Sequence, residues 1–360
     1  MSVQSWALPA PEPTAGWPRP LMADEFRGWP RGTLRNPTEA GQLLGRAVGY
    51  WDAAFSADSQ TVPNLGTGGS ALDMTLGSSG SADSNDPLWL PYYGTPYVYL
   101  PGASGNYLSV PHAAPVSITG SIDIALRVRL ADYTPGSNST LLAKYISSGN
   151  SFAMDINTSG LPRFIYTTDG TTAIPVASTI ATGVTDDSVI WLRYTRDSAT
   201  GEVKFRKHAD QESPPALADY TVIDTVAGSS GAMYAGTHPV AIGARSDGSQ
   251  PITGRVYRAI VKDGIDGTTV LDVDTSVVTG ASTSFTATTG QTVTINRATS
   301  GRKTVCVTQN CWLLGTDDYM EVADNDLLDF GASDSFTLIA VVRQWNTPPS
   351  YGRYIDKWNG

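Results

Sequence analysis

The histidines are the first side chains to consider for chemistry, and their spacing is not typical of a catalytic site. His112, His208 and His238 each lie far in sequence from any cysteine or second histidine. The chain contains no H-E-x-x-H, G-x-S-x-G or P-loop motif, the patterns that bring together metal ligands, a nucleophile or phosphate-binding amides. The sequence therefore gives no support to metal-dependent hydrolysis or to serine–histidine catalysis.

Paired carboxylates are the second kind of candidate, because a retaining glycosidase holds two of them about 5 Å apart across the scissile bond. The closest pairs along the chain are Asp263 with Asp266, Asp272 with Asp274, and Asp317 with Asp318. Asp272 and Asp274 would share one face of a strand, whereas Asp263-Gly-Ile-Asp-Gly has the composition of a turn. We therefore expect no catalytic residues and no enzymatic activity.

The densest aromatic cluster runs from Leu88 to Tyr99. Within it, Trp89, Tyr92 and Tyr93 are candidates for a platform on which a sugar ring stacks, because they combine apolar faces with polar tips. The alternative is that these residues pack on the core or on a neighbouring protein. We favour the alternative, since aromatic residues dominate cores as readily as surfaces.

Residues 1–48 differ from the rest of the chain and are expected to form an extended arm. Proline recurs through this segment, which fixes φ and removes backbone donors. The tetrapeptide Gly-Trp-Pro-Arg occurs twice, at 16–19 and 28–31. The large apolar groups have no core of their own here, so they either pack back on the first domain or dock on a partner. The candidate docking residues are Trp6, Trp17, Arg19, Trp29 and Arg31.

The composition indicates which elements must position these groups. Only 16% of the 360 residues are charged, while 36 are glycine and 23 proline, so surface helices are disfavoured and an all-β protein is expected. A net charge of −10 would repel nucleic acid. The chain has no apolar run long enough to cross a bilayer, so we expect no membrane insertion. Cys306 and Cys311 can form at most one local bridge, and their spacing lacks the second ligand pair of a zinc site.

Short alternating segments separated by turn residues begin near Tyr50. One face of a predicted strand carries Ile122, Ile124, Leu126 and Val128, and the other carries Asp123, Arg127 and Arg129. Many such strands predict a sandwich of two sheets, each with one apolar and one polar face.

An internal repeat suggests the domain organisation. Gly105-Asn-Tyr-Leu-Ser-Val resembles Asp317-Asp-Tyr-Met-Glu-Val, and the strand that begins at Ser121 resembles the segment that begins at Ser335. These matches predict one complete domain over residues 49–268 and a second, incomplete domain over 269–360. The second copy stops early, so we expect the chain to be part of a longer protein.

Several of these segments together resemble the laminin-G-like, concanavalin A-like jelly roll. They are Asn106 to Val110, Ser121 to Arg129, Ile190 to Tyr194, and Val240-Ala-Ile-Gly with Gly254-Arg-Val-Tyr-Arg-Ala-Ile-Val. With Val270-Leu-Asp-Val-Asp, the last segment looks like the jelly-roll modules in minor tail proteins of phages that infect actinobacteria. The resemblance implies two curved sheets and, in many members, glycan binding or a structural role in the virion.

The resemblance also suggests a calcium site, because some laminin-G-like domains bind calcium at one rim. The loop from Asp83 to Asp86 and Asp247 could supply oxygen ligands. Acidic loops are more often turns, so we expect no cofactor and keep calcium as the alternative.

These observations lead to one functional interpretation with two alternatives. The leading interpretation is a non-enzymatic minor tail protein at the phage tail tip. Its arm would bind other tail proteins, and its jelly rolls would face glycans of the host surface. The resemblance implies threefold symmetry and hence a homotrimer. The alternatives are a free carbohydrate-binding lectin module and, less favoured, a glycoside hydrolase on the same fold.

Overall fold

The computed structural model describes residues 47–51, 60–146, 149–315 and 318–331, together with positions 340 and 355. Among these residues, one compact unit contains 87–315 and the other contains 47–86 with 318–331. The helical segments of the described chain are 3-10 turns of three or four residues, and none could span a membrane. All strand pairings in the same ranges are antiparallel. The predicted all-β class is therefore confirmed.

The described strands are numbered in chain order. They are β1 Thr61–Val62, β2 Met74–Leu76, β3 Leu88–Leu90, β4 Tyr97–Pro101, β5 Tyr107–Val110, β6 Ile122–Leu130, β7 Ser139–Ile146, β8 Gly149–Ile156, β9 Pro162–Tyr166, β10 Ile174–Ala177, β11 Val189–Arg196, β12 Glu202–Ala209, β13 Thr221–Ala227, β14 Val240–Ile242, β15 Thr253–Asp263, β16 Thr268–Asp274, β17 Ser284–Thr286, β18 Thr292–Asn296, β19 Val305–Val307, β20 Cys311–Leu313 and β21 Met320–Val322.

The first unit is a sandwich of two large antiparallel sheets. One sheet has the strand order β10-β9-β8-β7-β14-β5-β18-β17. The other, called here the β6 sheet, has the order β13-β12-β11-β6-β15-β4-β19, with β16 also paired to β15. A further two-stranded sheet joins β3 to β20.

The core lies between the two large sheets and follows from the period-two alternation of the strands. Ile122, Ile124, Leu126 and Val128 are completely buried and belong to one cluster with residues of both sheets. Arg127 has the opposite orientation and packs on the ring of Tyr257, outside that cluster. The predicted orientation of β6 is therefore confirmed.

The outer face of the β6 sheet differs from the expected polar, solvated face. Asp123 and Arg127 are only 1% and 7% exposed. Chain segments lie across this face and exclude water from it. The loop after β12 contributes Gln211, whose carbonyl accepts a hydrogen bond from the Trp191 indole at 2.9 Å. The β3–β20 pair covers the tyrosines of β4.

The sandwich also extends beyond the predicted boundary between residues 268 and 269. β16 continues the hairpin from β15, with Val273 opposite Ala259. β18 pairs with β5, β19 pairs with β4, and Ile295 of β18 belongs to the core cluster. Residues after 268 are needed to complete both sheets, because β5 and β4 would otherwise be unpaired edges at these positions.

The second unit contains a three-stranded sheet of order β1-β2-β21. Asn64 organises the loop beside it. Its amide nitrogen donates to the carbonyls of Val48 and Gly69, and its Oδ1 accepts hydrogen bonds from the backbone N–H groups of Tyr50 and Gly66. Phe336 and Leu338 lie outside the described residues, so the second match of the repeat stays a prediction.

Candidate functional site

The predicted aromatic platform is divided between a covering sheet and a loop. Trp89 lies opposite Trp312 in the β3–β20 pair and is half-buried. The hydroxyl of Tyr92 donates to the carbonyl of Gly94 at 2.8 Å, and Tyr92 packs against the cluster beneath β3 and β20. Tyr93 is 66% exposed. The three side chains thus have different environments, and only Tyr93 presents most of its ring to solvent.

An open cleft of about 320 Å³ lies beside this loop, on the outer face of the β6 sheet. Small-molecule sites commonly have volumes of about 300–1,000 Å³. Three wall segments surround the cleft: the loop before β4, the loop after β12, and the end of β16 with the turn that follows it. The lining residues are Gly94, Thr95, Pro96, Arg127, Glu212, Ser213, Tyr257, Arg258, Asp274 and Ser276.

The floor of the cleft is formed by Tyr257 of β15 and Arg127 of β6. The Arg127 guanidinium carbon lies 4.8 Å from the centre of the Tyr257 ring. Asp210 holds the guanidinium with two hydrogen bonds, 2.6 Å from Nε and 3.0 Å from Nη2. Burial raises the pKa of the Tyr257 hydroxyl, while Arg255 and Arg127 act against this shift. The hydroxyl therefore stays protonated at neutral pH.

Two of the walls are joined by a side-chain hydrogen bond. The hydroxyl of Thr95 donates to Oε1 of Glu212 at 3.1 Å, which links the loop before β4 to the loop after β12. Glu212 and Ser213 are exposed. Both loops are held near the sheet because Asp210, two residues before Glu212, is anchored on Arg127.

The third wall is fixed by an arginine between two aspartates. Arg258 donates to both oxygens of Asp272, at 2.8 and 2.7 Å, and its Nη1 lies 3.6 Å from Oδ2 of Asp274. Asp274 also caps the turn after β16 by accepting a hydrogen bond from the Ser276 N–H at 2.9 Å. Hydrogen bonding to Asp272 raises the pKa of Arg258. The predicted pair Asp272 and Asp274 thus does share one strand face, where it binds Arg258.

A second cavity on the same face has a volume of only about 40 Å³ and is too small for a sugar. Its walls include the buried ion pair of Arg193 with Asp123 and the ring of Tyr220. The Arg193 guanidinium carbon lies 5.3 Å from the centre of that ring. This cavity has room for a few water molecules at most.

The candidate calcium loops form turns in the structure. Asp83 accepts hydrogen bonds from the Ser78 hydroxyl and from the Asn85 N–H. Asp247 accepts two from Ser249, through its N–H and its hydroxyl. In the part of the chain that the structure describes, no three His, Cys, Asp or Glu side chains converge as metal ligands do.

The remaining predicted residues fall into two groups. Trp6, Trp17, Arg19, Trp29 and Arg31 lie outside the described residues. Cys306 and Cys311 are thiols without a disulfide. Burial raises the pKa of the Cys311 thiol to about 11.

The cleft residues are largely ones that the sequence did not single out as a site. The outward orientation of Tyr257 and Arg127 could have been predicted, because both occupy outward positions in strands with alternating apolar and polar residues. No sequence pattern marks Thr95, Glu212 and Ser276 as parts of one site, because they lie in three separate loops. Thr95 and Glu212 are more than a hundred residues apart. Only the sheet brings these loops together.

No protein-family model matches the chain, and no curated protein matches it in sequence. Among solved structures, a Bacteroides ovatus protein provisionally described as carbohydrate-binding is 13% identical, covers 76% of this chain and 71% of its own, and has a TM-score of 0.37. The carbohydrate-binding module CBM40 of a Ruminococcus gnavus sialidase is 14% identical over 46% of this chain and 91% of its own, with a TM-score of 0.33. The LG4-5 domains of the mouse laminin α1 chain are 14% identical over 48% of this chain and 42% of their own, with a TM-score of 0.34.

Proposed function

We propose that this chain is a non-catalytic glycan-binding protein whose ligand occupies the cleft on the outer face of the β6 sheet. The observation that carries the proposal is an open cleft lined by hydroxyl, carboxylate and guanidinium groups. Sugar hydroxyls hydrogen-bond to polar groups of this kind, which fix the orientation of a ligand in its site. Thr95, Glu212 and Ser276 would bind these hydroxyls, while Tyr257, which is 5% exposed and covered by Arg127, would support the floor.

The charges around the cleft favour a neutral glycan. Arg127 and Arg258 are each held by two hydrogen bonds to an aspartate, so neither has its full charge available for an anion. Including Glu212 and Asp274, four carboxylates surround these two arginines. An acidic sugar would therefore meet a negative field, whereas neutral hydroxyls can donate to the carboxylates.

The same contacts argue for binding without hydrolysis. Asp274 is engaged with Arg258 and with the N–H of Ser276, and Glu212 accepts a hydrogen bond from Thr95. These acids therefore hold the walls of the cleft in place. We expect purified protein to release no reducing ends from β-glucan, arabinogalactan or peptidoglycan. Release that is lost in Asp274→Asn would contradict the non-catalytic assignment.

Binding is best tested on an array of neutral and acidic glycans. We expect the protein to bind neutral glycans and Glu212→Gln to bind them several-fold more weakly. Glu202→Gln is the matched control, because Glu202 also reaches solvent but lies on β12 in an ion pair with Lys204. A preference for uronic or sialic acids, or no binding at all, would overturn the proposed ligand class.

We further propose that the protein is a structural component of a phage tail tip. The support is the resemblance of the jelly-roll segments to minor tail proteins and the arm over residues 1–48, with its repeated Gly-Trp-Pro-Arg. The arm would dock Trp17 and Trp29 on other tail subunits, and the jelly roll would face the host, in three copies. Deleting residues 1–46 should abolish incorporation into particles. Normal incorporation of the deletion variant would favour a free lectin module instead.

A further inference from the structure

The two copies of the sequence repeat have structural counterparts in β5 and β21. Tyr107 to Val110 and Tyr319 to Val322 lie 212 residues apart. Each strand is followed by a 3-10 turn at the same separation, Ala114–Val116 in the first copy and Asp326–Leu328 in the second. The local structure of the repeat is therefore the same in both units.

Each of these strands is paired with a hairpin in the same register. The hairpin β17–β18 places Ile295 opposite Leu108 and Thr294 opposite Ser109. The hairpin β1–β2 places Leu76 opposite Met320 and Thr75 opposite Glu321. Because Met320 and Glu321 are the repeat counterparts of Leu108 and Ser109, Leu76 and Thr75 are the counterparts of Ile295 and Thr294.

The agreement extends to the outer strand of each hairpin and to burial. The N–H of Leu76 donates to the carbonyl of Gln60 at 3.0 Å, and that of Ile295 to the carbonyl of Thr283 at 2.9 Å. Leu76 and Ile295 are 5% and 4% exposed. The two hairpins therefore present an aliphatic side chain inward and a threonine outward at the same positions.

The pairing is exchanged between the repeats. By sequence, β1–β2 is the hairpin that precedes β5, and β17–β18 is the one that precedes β21. In the structure each hairpin pairs with the strand of the other repeat. β5 and β21 thus each pair with a hairpin that is distant in sequence. Because no short loop connects either strand to its hairpin, the chain connectivity does not determine which hairpin pairs with which strand.

We propose that the edge of β5 also accepts the β1–β2 hairpin of a second copy of this chain, in the register that β17–β18 occupies. When β17–β18 leaves, the edge of β5 offers unpaired backbone groups to any strand of matching side-chain pattern. When β1–β2 of a second copy pairs with β5, the displaced β17–β18 can pair with β21 of its own chain. Strand pairs of the same kind form in both arrangements, so the exchange costs mainly the entropy of association.

Chains in which Cys306 and Cys311 are replaced by serine, and which carry the introduced cysteines alone, test this directly. Ser109→Cys and Thr75→Cys lie on different chains, and their cysteines come to disulfide distance only if β1–β2 of one chain pairs with β5 of the other, since directly opposite residues are about 4.5–5.5 Å apart. Concentrated, oxidised mixtures should give several-fold more disulfide-linked heterodimer than Ser109→Cys mixed with Thr225→Cys. Thr225 is the control because it is exposed on β13, in the other sheet.

Two further variants make each outcome informative. The double variant Ser109→Cys/Thr294→Cys should form an intramolecular disulfide. This result would establish that a cysteine at position 109 can form a disulfide with a cysteine on the strand paired to β5. Heterodimer no greater than in the control mixture would overturn the proposal. It would also be overturned if Ser109→Cys were linked between chains to Thr294→Cys but not to Thr75→Cys, because the hairpins would then not be interchangeable.

Discussion

The guanidinium of Arg127 lies over the ring of Tyr257 at 4.8 Å, although the two residues come from strands that are 130 positions apart. Asp210 holds the guanidinium with two hydrogen bonds, from Nε and from Nη2. This stack fixes the tyrosine in the floor of the cleft and anchors the loop that carries Glu212. The shape of the cleft therefore depends on Arg127.

Arg127→Met should weaken glycan binding while the fold is retained. The substitution releases Asp210 and the loop that carries Glu212, so a ligand must then order this wall of the cleft when it binds. Titration calorimetry should therefore show a several-fold rise in Kd. Arg129→Met is the matched control, since Arg129 lies on the same strand and face but pairs with Asp187. Equal effects of both variants would show that the cleft is not involved.

The buried ion pair under the loop after β12 should contribute strongly to stability. Arg193 and Asp123 are 2% and 1% exposed and are joined by a hydrogen bond of 2.8 Å from Nε to Oδ1. Arg193→Met leaves the Asp123 carboxylate buried without this partner, which typically costs about 3–5 kcal/mol. Chemical denaturation should show this loss in the free energy of unfolding.

Lys204→Met provides the comparison for that measurement. Its ion pair with Glu202 is partly exposed, and exposed pairs contribute about 0–1 kcal/mol. If both variants lose the same small amount, the Arg193–Asp123 pair is solvated in solution and the loop does not cover this face.

Ile295→Ala should destabilise the sandwich although residue 295 lies beyond the sequence-predicted domain. Ile295 is 4% exposed and belongs to the core cluster of the first unit, and truncation of a buried isoleucine costs about 2–5 kcal/mol. The loss should occur in the same unfolding transition that Leu108→Ala affects. Thr294→Ala, at an exposed position of the same strand, should have little effect. A separate transition for Ile295→Ala would place β18 in a different domain.

Lys144 should make stability rise with pH in a mildly alkaline window. Burial lowers the pKa of Lys144 from 10.5 to about 8. Its ammonium group donates to the carbonyl of Gly236 and lies 3.0 Å from Nδ1 of His112. Between pH 8 and 10.5 the unfolded chain keeps a proton that the folded chain has lost, so the free energy of unfolding increases with pH in this range, by at most about 1.4 kcal/mol per pH unit.

Lys144→Met isolates this effect from the other groups that titrate in the same range. The difference in the free energy of unfolding between the native protein and the variant should change in favour of the native protein from pH 8 to 10. Parallel curves for the two proteins would mean that the folded and unfolded states hold this proton equally.

The fold could be predicted because its main signal is local. Alternation along Ile122 to Val128 specifies which face of β6 is buried, whichever strands lie beside it. The burial of Asp123 and Arg127 could not be predicted in the same way. Their polar types indicate a solvent face, and only the path of residues 210–220 across the sheet covers them.

The domain boundary and the cleft depend on pairings over long distances in sequence. The match of Tyr107 with Tyr319 reveals a repeat, but similarity between copies does not determine which hairpin pairs with which strand. For the same reason the sequence does not predict that Thr95 and Glu212 line the same site. Their proximity follows from the order of β4, β15, β6, β11 and β12 in one sheet.

The most direct test of the glycan-binding proposal is to map a bound neutral oligosaccharide on the protein by NMR. Titration should shift the backbone amides of residues 94–95, 212–213 and 274–276, which belong to the three walls of the cleft. The amides of the turn at Asp247 should not move. Shifts confined to other surfaces, or no shifts with a glycan that the protein binds, would contradict the assignment of this cleft as the glycan site.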